Sequence, residues 1–224
     1  MNNLFNIKNI VLILIIFVLC VILFIYFKPT NIDNKFNSYN SNQRPFIISL
    51  YGDSLMSGFL LKESEHLSKE LHLQLNKQKI PNKIMNSSIA GNTTSEGLQR
   101  INSIINDQPD IVILCLGAND MLQGINIDLI NKNLEKIIIK LQKHDIKIIL
   151  AGMYASPILG NDYATKYKDM YVNLSQQYNL IFMPFILEGI IFNNQYLLPD
   201  KSHPNFEGVK IMAKNLLKYL AIIL

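Results

Sequence analysis

Ile111-Val112-Ile113-Leu114-Cys115-Leu116-Gly117-Ala118-Asn119-Asp120 opens with six apolar residues in a row and closes on a polar turn. A strand with no polar face needs cover on both sides, which is the condition of a strand inside a parallel sheet flanked by helices. Further short runs rich in apolar residues at 46–51, 83–88, 146–151 and 180–183 bring the number of expected strands to five. Between and after them lie segments of helical period at 60–78, 94–106, 128–144, 163–177 and 206–220. Leu67, Leu71 and Leu75 recur at fourfold spacing in the first, and Leu134, Ile137, Ile138 and Leu141 form a stripe in the third. The expectation is an α/β fold of three layers, α/β/α, around a five-stranded, mostly parallel, doubly wound sheet of flavodoxin-like type.

Right-handed crossovers put the carboxyl ends of such strands on one rim, where open sheets bind ligands. Ser54, Gly91 and Asn119 each follow the carboxyl end of a different expected strand. Ser54 lies in Tyr51-Gly52-Asp53-Ser54-Leu55, and its hydroxyl needs a neighbouring base to act as a nucleophile. In isolation it would read as a helix cap. Far downstream, Asp200-Lys201-Ser202-His203 offers a carboxylate and an imidazole three positions apart in a turn. That spacing lets the carboxylate of Asp200 fix the tautomer of His203 and stabilise its imidazolium, while His203 takes and returns the serine proton. His66, His72 and His144 fall in expected helices among charged neighbours and read as solvent-facing. Asp53, adjacent to Ser54, reads as a hydrogen-bonder of the turn. Gly91 and Asn119 are either ordinary turn residues or, with the Ser54 N–H, the donors of an oxyanion hole. A metal site is not expected, since one turn supplies two ligands and no His or Cys cluster completes the set. No cofactor is implied.

The four blocks Gly52-Asp53-Ser54-Leu55, Gly91-Asn92-Thr93-Thr94, Gly117-Ala118-Asn119-Asp120 and Asp200-Lys201-Ser202-His203 resemble, in this order, those of the Ser-Gly-Asn-His (GDSL-type) hydrolases. Gly91 to Leu98, Gly117 to Gly124 and Met153-Tyr154-Ala155-Ser156-Pro157 are most similar to the bacterial branch of arylesterases, acyl-CoA thioesterases and lysophospholipases. The resemblance covers the chain from about residue 46 onward. It implies a serine hydrolase of carboxylic ester or thioester bonds working through an acyl-serine intermediate, with catalytic Ser54, Asp200 and His203 and oxyanion donors Ser54, Gly91 and Asn119. Met121, Met153, Tyr154 and Pro157 would line the acyl cleft, the last three having packing as an equal alternative. Two positions depart from the pattern: similar proteins commonly carry Asp where Asn92 stands and a small residue where Met121 stands. The substrate would be a small acyl ester or thioester, lipids included. An O-acetyl esterase or acyltransferase acting on an envelope polysaccharide is the alternative with the same fold, and a non-catalytic membrane-anchored binding module is the alternative without chemistry.

The 224 residues suit one domain with a short extension, and 49% hydrophobic content is ample for a core. A net charge of +4, spread along the chain, excludes a nucleic-acid surface. Residues 10–27 are an unbroken apolar run with no polar stripe, long enough to cross a bilayer, and no small-residue cleavage site follows. Residues 1–28 are therefore expected to be a membrane anchor or uncleaved signal, 29–45 an Asn- and Ser-rich tether, and 46–224 the hydrolase domain. The expected location is the bacterial inner membrane, with the domain in the periplasm or outside the cell. Cys115 is the one cysteine beyond the apolar run, so the domain holds no internal disulfide.

Overall fold

The computed structural model describes residues 44–224. Its elements are β1 (Phe46–Gly52), α1 (Ser54–Ser57), α2 (Leu67–Lys77), β2 (Asn82–Asn86), α3 (Thr94–Asn106), β3 (Ile111–Cys115), α4 (Ala118–Leu122), α5 (Ile127–Gln142), β4 (Lys147–Ala151), α6 (Asn161–Gln177), β5 (Ile181–Met183) and α7 (Phe206–Ile223), with short 3-10 turns at Glu63–Glu65, Pro157–Leu159 and Asn194–Tyr196. All five expected strands form one sheet in the order β2-β1-β3-β4-β5, and every neighbouring pair is parallel. Helix α2 packs against α7, while α3 packs against α5 and α5 against α6, so each face of the sheet has its own helical layer. The connection after β1 runs to one edge and the later ones run to the other. That reversal between β1 and β3 opens a crevice at their carboxyl ends, and the register that sets Tyr51 opposite Leu114 and Gly52 opposite Cys115 brings those ends level.

Strand β3 is buried along its whole length, as its unbroken apolar run demands. The stripes Leu67, Leu71, Leu75 and Leu134, Ile137, Ile138, Leu141 are fully buried. Cutting any of them to alanine would cost about 2–5 kcal/mol, so the sheet that carries the site is held from both sides.

Three local expectations are corrected. The helix expected over 60–78 begins only at Leu67, because Gly58 and Leu60 take left-handed φ values of 86° and 60° and His66 is extended. The buried stripe of this helix starts at Leu67 as well. The second strand ends at Asn86 on the sheet edge, while Ser87 and Ile89 still give their N–H groups to Leu50 O and Gly52 O. His66 and His144 lie outside the helices; His144 is exposed, as expected, whereas His66 and His72 are half-buried and their rings have partners. The His66 ring packs on Gly58 and reaches Leu61 O at 3.3 Å, and His72 Nδ1 lies 2.8 Å from Asn82 Oδ1. Among the described residues no helix is long and apolar enough to cross a membrane. The expected anchor, the apolar run at 10–27, and the tether up to residue 43 lie outside the described residues.

Candidate active site

Ser54 stands where β1 gives way to α1. Asp53 is the N-cap of that helix, its Oδ1 accepting the Leu55 N–H at 3.1 Å, and Gly58 closes the turn. A helix start leaves its first N–H groups without partners in the helix, so the Ser54 N–H is available as a donor beside its own hydroxyl. Ser54 Oγ lies 2.9 Å from His203 Nε2, and His203 Nδ1 lies 2.7 Å from Asp200 Oδ2. With Nδ1–H donating to the carboxylate, Nε2 is left to accept the serine proton.

The turn that carries His203 is tied up locally. Asp200 Oδ1 accepts from both the Ser202 and His203 N–H groups, at 2.9 and 3.0 Å. Those bonds, the His203 N–H first, hold the Asp200 carboxyl down to a pKa of about 2, so it is ionised at neutral pH. The base of the loop is closed by Leu198 N–H to His203 O and an antiparallel bridge between Leu197 and Pro204. Asn205 then caps α7, and Gly208 lets that helix approach so closely that a Cβ there would collide with the Tyr196 carbonyl. Phe59 lies against the His203 ring, with centroids 4.8 Å apart.

Gly91 and Asn119 reach the same cleft as Ser54 and His203. Gly91 has φ +83° and open space where a Cβ would be, the conformation glycine adopts without strain. Asn119 Nδ2 donates to Asn92 O at 3.0 Å, which fixes the amide in place and leaves its second hydrogen for an oxyanion. Behind them is a set of anchors that the sequence reading missed. Arg100, half-buried on α3, donates to Asn92 Oδ1 at 2.7 Å, to Ser87 O at 2.5 Å and to Gly52 O at 3.2 Å, and stacks its guanidinium over Tyr51. One side chain thus joins the ends of β1 and β2 to the Gly91 loop. Asn92, which stands where similar proteins commonly carry Asp, is the side-chain acceptor of this fork. Asp120, fully buried, accepts from the Thr94 N–H and hydroxyl at 2.8 and 2.5 Å, and so ties the Asn119 loop to the start of α3. The signal for these residues was present in the chain. Thr93 and Glu96 have capping-box spacing and do form one, and Arg100 sits four residues after Glu96 on the same helix.

Asp53 is buried, and its Oδ2 has no hydrogen-bond partner among the described residues. Burial pushes its carboxyl up to about 6 against the pull of the Leu55 N–H. The turn role expected for Asp53 is therefore filled by one oxygen only.

A cleft of about 1220 Å³ opens beside the serine. Met121, Met153 and Tyr154 line it, as expected, and Tyr154 stacks on Phe185 at 4.5 Å between centroids. Pro157 begins the 3-10 turn that follows, and its side chain lies outside the described ones. Leu55, Leu187 and Ile191 add to the apolar wall. Among the described residues no three His, Cys, Asp or Glu side chains gather where they could hold a metal ion.

A hydroxyl, imidazole and carboxylate in hydrogen-bonded series, beside amide donors and an apolar cleft, define a serine acyl hydrolase by geometry. Residues 50–211 match the GDSL-like lipase/acylhydrolase family, so the chain belongs to that family and is an ester-cleaving hydrolase. It is 29% identical over 174 residues to an arylesterase of Vibrio mimicus, covering 75% of this chain and 87% of the relative. To the thioesterase 1/protease 1/lysophospholipase L1 of Escherichia coli K12 it is 25% identical over 172 residues, covering 76% and 81%. Among solved structures it is similar to AlinE4, an esterase of the SGNH-hydrolase family, at 32% identity and a TM-score of 0.68, with 81% of this chain and 98% of that one covered.

Proposed function

We propose that Ser54 is the nucleophile of an acyl-serine mechanism on carboxylic esters and thioesters whose acyl part occupies the apolar cleft. His203 Nε2 takes the Ser54 proton as Oγ attacks the acyl carbon, and Asp200 stabilises the imidazolium. The tetrahedral oxyanion receives the Ser54 and Gly91 N–H groups and the free hydrogen of the Asn119 amide. His203 gives its proton to the leaving alcohol or thiol, then activates a water that releases the acid. The observation that carries this reading is the unbroken series from Ser54 through His203 to Asp200, at 2.9 and 2.7 Å. An apolar cleft of this volume favours acyl chains over the acetyl groups of a polysaccharide, because an acetyl group would leave most of it unfilled.

The domain works at a membrane, anchored by the apolar run at 10–27 and facing the periplasm or the exterior; the length and unbroken apolar character of that run support this. A fluorophosphonate probe is expected to label the wild type at Ser54, and Ser54→Ala is expected to lose both labelling and turnover while keeping its melting temperature. Unlabelled wild type with the fold intact would refute the mechanism.

A further inference from the structure

Four hydrophobic side chains of the described domain are more than 70% exposed: Leu60 at 72%, Leu122 at 76%, Ile158 at 94% and Phe192 at 97%. They are not scattered. Leu122 and Phe192 line the mouth of the cleft, Leu60 follows the lining residue Phe59, and Ile158 sits in the turn after the lining residue Ser156. Single exposed apolar residues are ordinary, but a group of the most exposed ones around one opening is not. Leu60 and Phe192 also stand at φ +60° and +71°, where glycine or asparagine is the favoured residue and a bulky side chain is strained. An exposed apolar residue in a strained backbone does nothing for the fold, and such outliers gather where a surface does work.

We propose that the mouth of the cleft docks on a bilayer surface of anionic phospholipid, from which the enzyme draws an acyl lipid directly into the cleft. The lipid surface is the occupant that charge and chain length favour. Lys168, which also pairs with Asp169 at 3.6 Å, and Lys201 line the cleft and no Asp or Glu does, so anionic headgroups meet cations where the apolar rim would enter the acyl layer. The chain also carries its own apolar run ending at residue 27, and the sixteen residues 28–43 between it and the described domain span up to roughly 55 Å. An apolar run in the same chain itself favours a lipid surface as the occupant. The proposal rests on the acyl-serine reading of the site and adds where its substrate is met.

The test uses the full-length chain in phosphatidylcholine vesicles, with and without phosphatidylglycerol, that hold a monoacyl phospholipid as substrate. A soluble short-chain aryl ester serves as the second substrate. Ile158→Asp and Leu60→Asp lie outside the catalytic groups and the cleft wall, and aspartate suits the left-handed backbone at position 60. Each is expected to lower vesicle hydrolysis by about tenfold, the loss of one apolar anchor, with the rate on soluble ester and the melting temperature unchanged. Phosphatidylglycerol is expected to raise the wild-type rate, and salt to cancel that gain. Vesicle rates unaltered in both variants, with normal turnover of the soluble ester, would overturn the docking face and leave the acyl-serine reading standing. Variants that instead turn a dimer into a monomer in sedimentation would show the rim to be a contact between copies, which also overturns it. A wild type inert on the soluble ester would remove the acyl-serine reading and this proposal with it.

Discussion

Ser54 is carried by β1, whose residues from Ile48 to Gly52 are buried between helical layers, whereas Asp200 and His203 are carried by an exposed turn between Leu197 and Pro204. The serine side depends on long-range packing. Gly52 O is gripped by Arg100, the Asn119 loop is held through Asp120 to Thr94, and the Gly91 loop through Asn92 to Arg100. The acid–base side depends on bonds made within four residues. The hydrogen-bonded series from Ser54 to Asp200 is therefore assembled from one part that the sheet makes stiff and one that a turn makes self-supporting. Substitutions on the two sides should then fail differently: near the turn they should cost rate without stability, and behind the serine they should cost both.

Asp200→Asn breaks the comparison most sharply if it fails. It is expected to lower kcat by about 10⁴-fold, because an amide no longer fixes the imidazole tautomer. Its melting temperature should fall by no more than a few degrees, since the side chain is exposed and the amide oxygen can still accept the Ser202 and His203 N–H groups. Asn119→Ala is expected to lower kcat by roughly 100- to 1,000-fold with a smaller change in KM, the signature of a donor used in the transition state. Steady-state kinetics on an aryl ester checks both.

Arg100→Ala probes the stiff side. It leaves Gly52 O, Ser87 O and Asn92 Oδ1 without their shared donor and is expected to cost about 3 kcal/mol in urea unfolding. It should also lower kcat by about tenfold as the Gly91 loop loosens, with binding of a non-hydrolysable acyl analogue little changed. A stability loss with full kcat would mean that the fork serves the fold alone.

The smallest effect is in the pH dependence of stability, where the two aspartates beside the relay act in opposite senses. Asp53 has a folded pKa of about 6 against an ordinary value of 3.8. Its protonated form suits the fold, so this contribution is complete below about pH 4, fades between 4 and 6, and is absent above. Across that window it amounts to no more than about 3 kcal/mol. Asp200, lowered to about 2, contributes above pH 4 and loses that contribution as pH falls through 2. Chemical denaturation at pH 4.5 and pH 7 is expected to show a steeper fall with rising pH in the wild type than in Asp53→Asn. Parallel pH profiles would show that the unpaired Oδ2 has found water.

The apolar run of β3 revealed the sheet because a fully buried strand can present nothing else, and the stripes of α2 and α5 revealed their buried faces for the same reason. The hydrogen-bonded series of Ser54, His203 and Asp200 was legible because Asp200 and His203 lie three residues apart in a turn and Ser54 follows a strand. Where α2 begins was not legible. Residues 58–66 are bent by left-handed Gly58 and Leu60 and an extended His66, and a charged stretch carries no periodic signal to mark such a path. Arg100 escaped notice because its partners, Gly52, Ser87 and Asn92, lie 48, 13 and 8 positions away and two of them act through main-chain oxygens. The exposed rim of the cleft was equally hidden, since a leucine or phenylalanine in a sequence reads as core until solvent exposure is known.

By itself the sequence determined the class of fold and singled out the three residues that the fold joins in one hydrogen-bonded series. Strand pattern follows from burial on two faces, and acid–base chemistry needs particular side chains that a chain either has or lacks. Tertiary structure alone decided the 2.9 Å approach of Ser54 to His203 across 149 positions, the anchoring of the Gly91 and Asn119 loops and the gathering of apolar residues around one opening. Those are distances between residues remote in the chain, and they exist only once the sheet has fixed which strand ends are neighbours.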